Sequence, residues 1–240
     1  MRSFEITAIA ASMLAGSVAN AQTFNFDFGF QPTDQNGDYV TQGWNNIDYF
    51  TSFYVGLIDD QGVTHNGMAL EWTGFYDSGS STQGSDNPSG DAAFLPVTAS
   101  DDYLFGHDDG WAGREGESFV EITIFGLDTS GDVVYDFSFF GSRGGVAGVR
   151  SALYTAIGAN SGSDSLNASS NDTDLAYVNG IFANANGEIT ITIQKDVTND
   201  NGDGFFYINA ATLTSRIVPA PGAAALLAFA GVGVATRRRR

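Results

Sequence analysis

Two short segments space oxygen-bearing side chains in the alternating way that is typical of calcium loops. They are Asp34, Asn36 and Asp38 in the first segment, and Asn199, Asn201 and Asp203 in the second. The second segment continues with Gly204, as an EF-hand loop does, but its twelfth position would be Ala210 and not a bidentate Glu. Both segments are therefore interpreted as possible calcium loops outside the EF-hand class. A turn rich in Asn and Asp is the alternative interpretation.

Aromatic and amide side chains form a second group with recognisable chemistry. Neutral sugars are held by aromatic faces and by polar groups that hydrogen-bond their hydroxyls. Trp44 stands beside Asn45 and Asn46, and Trp111 lies in a polar, glycine-rich segment, whereas Trp72 lies in an apolar run and is predicted to be core. The sequence thus predicts carbohydrate contacts for Trp44, Asn45, Asn46 and Trp111. The alternative is that these residues anchor loops on the core.

Arg143 ends an aromatic stretch in a chain that has few basic residues. It is a candidate ligand contact. The surrounding negative charge favours a different role, an internal ion pair with a carboxylate.

Most catalytic classes find little support. The chain has no Cys, which excludes thiol nucleophiles and cysteine-ligated metals, and it has only two His residues, His65 and His107. No G-x-S-x-G, H-E-x-x-H or glycine-rich nucleotide motif is present. Carboxylates are so numerous that a glycosidase pair remains a low-ranked alternative, and no catalytic residue is assigned.

Charge narrows the range of partners. The formal net charge is −18, and residues 22–217 alone combine five basic with 27 acidic residues, a formal charge of −22. Such a body repels nucleic acid and anionic membrane surfaces. We therefore expect neutral ligands, cations or basic partners, and no nucleic acid.

The elements that position these residues are predicted to be strands. Phe24, Phe26 and Phe28 alternate with polar residues, as do Ile189, Ile191 and Ile193. About ten such runs are separated by turn residues, at 24–28, 49–58, 68–75, 97–105, 119–127, 133–140, 150–157, 175–182, 188–195 and 205–213. The fifth and sixth runs are predicted to pair as a β-hairpin. The pattern predicts an all-β fold, a single antiparallel jelly-roll-like β-sandwich over residues 22–217.

The first 21 residues have the order of a secretory signal peptide. Arg2 is followed by an apolar run, and Ala19 and Ala21 form an A-x-A cleavage site, which makes Gln22 the expected mature start. A short buried helix is the alternative. Export machinery and signal peptidase are the implied partners.

The C-terminal segment, residues 218–240, combines Pro219 and Pro221 with an apolar stretch at 222–235 and four closing arginines. Fourteen apolar residues are fewer than the roughly 20 of a stable membrane span. The segment resembles the PEP-CTERM sorting signal of exported bacterial proteins, with Ala220 where the usual motif has Glu. The resemblance implies an exosortase-type enzyme that removes the tail, transient membrane association, and delivery to the cell surface, outer envelope or extracellular matrix. A short C-terminal membrane anchor is the alternative.

The body loosely resembles the jelly-roll, galactose-binding-like modules of exported bacterial proteins, through its strand pattern, its Trp44-Asn45-Asn46 segment and its aromatic stretch ending at Arg143. The resemblance implies a non-catalytic domain that binds carbohydrate, such as an extracellular polysaccharide. A purely structural or adhesive surface protein is the alternative, followed by a secreted glycoside hydrolase.

Overall fold

The structure is a computed structural model that describes residues 21–29, 41–76, 82–116 and 119–218. These residues are nearly all β. In chain order the strands are β1 (Gln22–Gly29), β2 (Asn45–Asp48), β3 (Phe53–Ile58), β4 (Thr64–Thr73), β5 (Leu104–His107), β6 (Val120–Phe125), β7 (Val133–Phe140), β8 (Ser151–Ile157), β9 (Ser161–Asn167), β10 (Ala176–Ile181), β11 (Ile189–Lys195), β12 (Phe205–Ile208) and β13 (Ala210–Ile217). One short helix, α1 (Val97–Ser100), precedes β5 and follows a 3-10 turn at Gly90–Ala92.

The strands form two large sheets and one small one. The first sheet has the order β10-β7-β13-β1-β2, the second the order β3-β4-β6-β11-β8-β9, and the third pairs β12 with β5. Neighbouring strands are antiparallel except β1 and β2, which run parallel. The outer strands β3 and β9 are hairpin partners of β4 and β8.

One hydrophobic core takes side chains from both large sheets, which gives a β-sandwich-like arrangement. The alternating residues Phe24, Phe26 and Phe28 of β1 are at most 2% exposed, and Ile189, Ile191 and Ile193 of β11 are also buried in it. The inward faces predicted for these strands are confirmed. Trp72 of β4 is a core residue, as predicted, and its indole N–H donates to the Thr51 carbonyl at 2.8 Å.

The small sheet lies with one face in this core. Leu104, Phe206 and Ile208 belong to the main core, whereas the opposite face holds a separate cluster of aromatic residues. Since successive side chains in a strand point to opposite faces, β5 and β12 link the core to a second, aromatic surface.

Residues 82–102 cover part of the outer face of the first sheet. Ala92, Leu95 and Ala99 pack there against Phe140 and Ala210. Asn209, which is fully buried, fixes the segment: its amide donates to the Ser100 carbonyl at 2.8 Å, and its oxygen accepts the Ser142 N–H at 2.7 Å. The covering segment is thereby attached to the junction between β12 and β13.

Several details of the predicted fold are wrong. The described residues contain thirteen strands and not about ten. β2 and β9 were not predicted, because they have no apolar alternation, and the run at 205–213 is divided at Asn209 into β12 and β13. The run at 97–105 begins with α1. The predicted hairpin does not form: β6 pairs with β4 and β11, and β7 pairs with β10 and β13, so the turn at 128–132 connects the two large sheets.

The predicted signal peptide, apart from Ala21, lies outside the described residues, as does the tail beyond Val218. Ala19, Pro219 and Pro221 are therefore not placed. In the described part of the chain, no helix has the length and apolar character needed to cross a membrane.

Candidate functional site

An aromatic depression lies on the free face of the small sheet and unites residues from four separate parts of the chain. Its volume is about 310 Å³, at the lower end of the range for small-molecule sites. Its lining consists of Tyr103, Phe105, Trp111, Arg143, Arg150, Asp203, Phe205 and Tyr207. Three of these, Trp111, Arg143 and Asp203, are candidate site residues from the sequence.

The floor of the depression follows from strand register. Tyr207 lies opposite Phe105, and Phe205 lies opposite His107, so their side chains share one face. The rings of Phe105 and Phe205 meet edge to face at 5.6 Å, and those of Tyr103 and Tyr207 do so at 5.1 Å. This packing makes a rigid apolar floor.

Trp111 reaches the depression from a tight turn. Its backbone exchanges two hydrogen bonds with Arg114, and the residues between them, Ala112 and Gly113, both have positive φ, 52° and 79°. These values are typical of a type I′ turn. The half-buried indole packs edge to face on Phe105 and Phe205 at 5.8 and 5.7 Å. Both the anchoring role and a ligand-facing role therefore fit this residue.

Arg143 and Arg150 stand over the aromatic floor. The Arg143 guanidinium carbon lies 5.9 Å from the Tyr103 ring, and that of Arg150 lies 5.3 Å from the Phe205 ring. Arg143 donates to the Gly144 carbonyl at 2.5 Å, and Arg150 donates to the Tyr207 hydroxyl. These contacts are cation–π and hydrogen-bond interactions.

The ion pair favoured for Arg143 in the sequence analysis is not formed. Among the described residues, no carboxylate oxygen lies within 4.0 Å of the guanidinium nitrogens of Arg143 or Arg150. The pairs that do form involve Lys195 and Arg216. Stacking on aromatic rings has replaced pairing, which keeps the positive charge available to a ligand.

The hydroxyl of Tyr207 is held in its neutral form. Burial raises its pKa to about 12, although the nearby charges of Arg150 and Arg143 act in the opposite direction. The depression thus combines the guanidinium groups of Arg143 and Arg150, the neutral phenol of Tyr207 and the side chain of Asp203.

The loop that contributes Asp203 is an Asn-rich turn in the structure. The Asn199 side-chain oxygen accepts the Asn201 N–H at 3.0 Å, and the Asn201 oxygen accepts the N–H groups of Asp203 and Phe205. Within the described ranges, no group of three or more His, Asp or Glu side chains is arranged to hold a metal ion. Asp34, Asn36 and Asp38 lie outside those ranges, and calcium binding stays a prediction for both segments.

Trp44, Asn45 and Asn46 are not part of the depression. Trp44 packs on the cluster beneath residues 82–102. Asn45 donates to the carbonyls of Asn25 and Ile58 and accepts the Ile58 N–H, and Asn46 bonds to the backbone of residues 41 and 44. The amide groups are used in joining β2 to its neighbours, so loop anchoring accounts for all three.

A larger cavity of about 780 Å³ lies beside the first residues of β1 and the last residues of β13. His65 and Asp59 form a side-chain hydrogen bond of 2.9 Å at this cavity. Its aromatic residues, Phe24 and Tyr135, are at most 4% exposed. The floor of the aromatic depression is similarly buried, so the feature that distinguishes the depression is the half-buried indole of Trp111, which the larger cavity lacks.

Two acidic residues that do not line the depression are buried where the covering segment meets β1. Asp27 and Asp102 are 2% and 1% exposed, and three of their four carboxylate oxygens have no hydrogen-bond partner among the described residues. The fourth accepts the Thr41 N–H at 3.3 Å. Burial raises the pKa of Asp27 to about 7, and burial together with the charge of Asp27 raises that of Asp102. The Asp102 carboxylate lies so close to Gly29 that a Cβ there would be 1.8 Å from its oxygen.

Sequence reasoning missed Arg150 and the aromatic floor. The available signal was the alternation of Tyr103, Phe105 and His107 in one run and of Phe205 and Tyr207 in another. That pattern predicts an aromatic face for each strand. It does not show that the two strands pair, or that Trp111 packs on the aromatic face that they form.

Neither the family models nor the curated proteins compared with the chain match it. The function is therefore argued from the site alone.

Proposed function

We propose that this is an exported cell-surface or extracellular-matrix protein whose non-catalytic, jelly-roll-like domain binds carbohydrate at the aromatic depression. One observation supports the binding proposal above all others: Trp111, an aromatic floor and two arginines meet around one small depression, and neither arginine has a carboxylate partner in the part of the chain that the structure describes. An aromatic face beside a few convergent polar groups is the usual composition of a small-molecule site.

A binding role is favoured over catalysis by the number of carboxylates. Retaining and inverting glycosidases usually need two facing carboxyl groups. Asp203 is the one carboxylate among the residues that line the depression, and the Asp27–Asp102 pair is buried elsewhere. The hydrolase thus ranks below a binding module.

Export and surface delivery are proposed from the two ends of the sequence. The A-x-A site at Ala19 and Ala21 and the PEP-CTERM-like tail would be processed by signal peptidase and an exosortase-type enzyme. Mass spectrometry of the secreted protein tests this proposal. A chain that starts at Gln22 and ends before the apolar stretch is expected, and an intact Arg240 on secreted material would contradict it.

A structural or adhesive role is a second candidate because of an apolar edge. β3 is an outer strand of the six-stranded sheet, and Phe53 and Val55 on it are 53% and 71% exposed. Exposed apolar edge strands are sites of association between chains. A glycan array probed with the full chain separates the two roles: binding to at least one glycan supports the module, and no binding favours the structural protein.

A further inference from the structure

The distribution of the few positive charges is uneven. Five basic residues face 27 acidic ones in residues 22–217, and Lys195 and Arg216 each have a carboxylate within 2.7 Å. Arg114, Arg143 and Arg150 have none within 4.0 Å in the described ranges. Of these three, Arg143 and Arg150 line the depression, together with Asp203. Two cations side by side repel each other unless an anion lies between them.

The surroundings of these arginines hold them ready for an anion. The Arg143 guanidinium lies over the Tyr103 ring and that of Arg150 over the Tyr207 ring, at 5.9 and 5.8 Å. These two rings meet at 5.1 Å, so both charges lie over neighbouring rings of the depression. The Arg150 Nε is buried and has no hydrogen-bond partner within the described ranges. A buried donor without a partner is costly, so the contacts in this part of the chain leave Arg150 incompletely satisfied.

We propose that the sugar ligand carries a carboxylate, as in the uronic acid residues of an acidic polysaccharide, and that Arg143 and Arg150 bind it. This inference rests on the proposed carbohydrate-binding function. Guanidinium groups match planar carboxylates through paired N–H donors. Trp111 supplies the apolar face on which the pyranose ring packs, so one depression recognises both halves of a uronate residue.

The negative charge of the rest of the domain opposes this binding at long range. Charges are screened over about 8 Å at physiological ionic strength, whereas the two arginines act at contact distance. The acidic surface is therefore expected to slow association, and the arginines are expected to slow dissociation. The contacts made by the two arginines are therefore expected to determine the affinity for the uronate.

The test compares polyuronates with their own methyl esters. Oligosaccharides of galacturonate, mannuronate and glucuronate are titrated calorimetrically into the full-length chain at about 0.15 M salt, each in acid and fully esterified form. We expect at least one acid form to bind about tenfold or more tightly than its ester, since esterification removes charge-assisted hydrogen bonds. Arg143→Gln and Arg150→Gln should each reduce that affinity by about tenfold.

Arg216→Gln is the matched control because it removes the same charge from a surface ion pair with Asp136. It should leave the affinity unchanged, and an equal loss would overturn the inference in favour of a general charge effect. Equal affinity for acid and ester, or binding of neutral glycans alone, would overturn the uronate inference and leave carbohydrate binding intact. Failure of every acidic and neutral glycan to bind would overturn both.

Discussion

The carboxylates buried where residues 82–102 meet β1 give the most quantitative prediction. Asp27→Asn removes one negative charge and retains an oxygen that can accept the Thr41 N–H. In the native protein the pKa of Asp27 is raised from 3.8 to about 7 by burial. A group whose pKa is higher in the folded state favours folding when protonated, so its contribution is complete in acid and is lost as pH rises.

The size of the effect follows from that difference. One pKa unit corresponds to about 1.4 kcal/mol, so a rise of about three units makes ionisation of Asp27 cost about 4 kcal/mol of unfolding free energy. For a domain of this size about 4 kcal/mol corresponds to roughly 10 °C in melting temperature. Asp27→Asn should therefore melt up to roughly 10 °C higher than the native chain at pH 8, and the two should coincide near pH 4.

Thermal melts followed by circular dichroism between pH 4 and 9, in the presence of EDTA, measure this gap. Asp128→Asn is the matched control, because hydrogen bonds from Ser130 lower the pKa of that exposed carboxyl. The ionised Asp128 stabilises the folded protein at neutral pH, and this stabilisation is lost in acid. Asp128→Asn should therefore melt below the native chain at pH 8, and the difference should shrink as the pH falls. A gap for Asp27→Asn that does not change between pH 4 and 8 would refute the reasoning.

Four further outcomes are expected. Asn209→Ala should lower the urea-unfolding free energy by about 2–4 kcal/mol, because it leaves the buried Ser142 N–H without a partner and removes one of the two hydrogen bonds to the Ser100 carbonyl; a loss below about 1 kcal/mol would contradict this. Tyr154→Phe should cost about 1 kcal/mol in the same assay, since it removes one buried hydrogen bond; unchanged stability would argue against that bond. Gly29→Ala should lower the unfolding free energy, because the added Cβ forces the buried Asp102 carboxylate to move; unchanged stability would contradict the packing. If residues 199–204 bind calcium, added Ca²⁺ should raise the melting temperature of the native chain more than that of Asp203→Asn; an equal response in both chains would contradict the calcium interpretation of this loop.

Where strands are half-buried, the sequence predicts them well. The alternation of β1 and β11 and the aromatic face of β7 all coincide with the core, because one face of each strand is apolar. β9 was missed because its segment, Ser161–Asn167, is an outer strand with mostly polar residues on both faces. Only its pairing with β8 makes it a strand, and pairing is not visible in local composition.

The hairpin predicted between β6 and β7 is wrong for the same reason, because local sequence does not show which strands pair. A five-residue turn such as 128–132 joins a hairpin or two packed sheets equally well, so local sequence could not assign β6 and β7 to different sheets. The candidate site shows the same limit. Trp111, Arg143 and Asp203 were each identified by residue type, but their meeting depends on the β5–β12 pairing and on long-range contacts between loops.

The most direct test of the central claim is a calorimetric titration with the best glycan from the array, using the native chain, Trp111→Ala and Trp44→Ala. Trp44 is the matched control, since it packs on the cluster outside the depression. With folding of each variant verified by its melting curve, Trp111→Ala should bind about tenfold or more weakly and Trp44→Ala should bind like the native chain. Native affinity in Trp111→Ala, or no glycan binding by the native chain at all, would contradict the account.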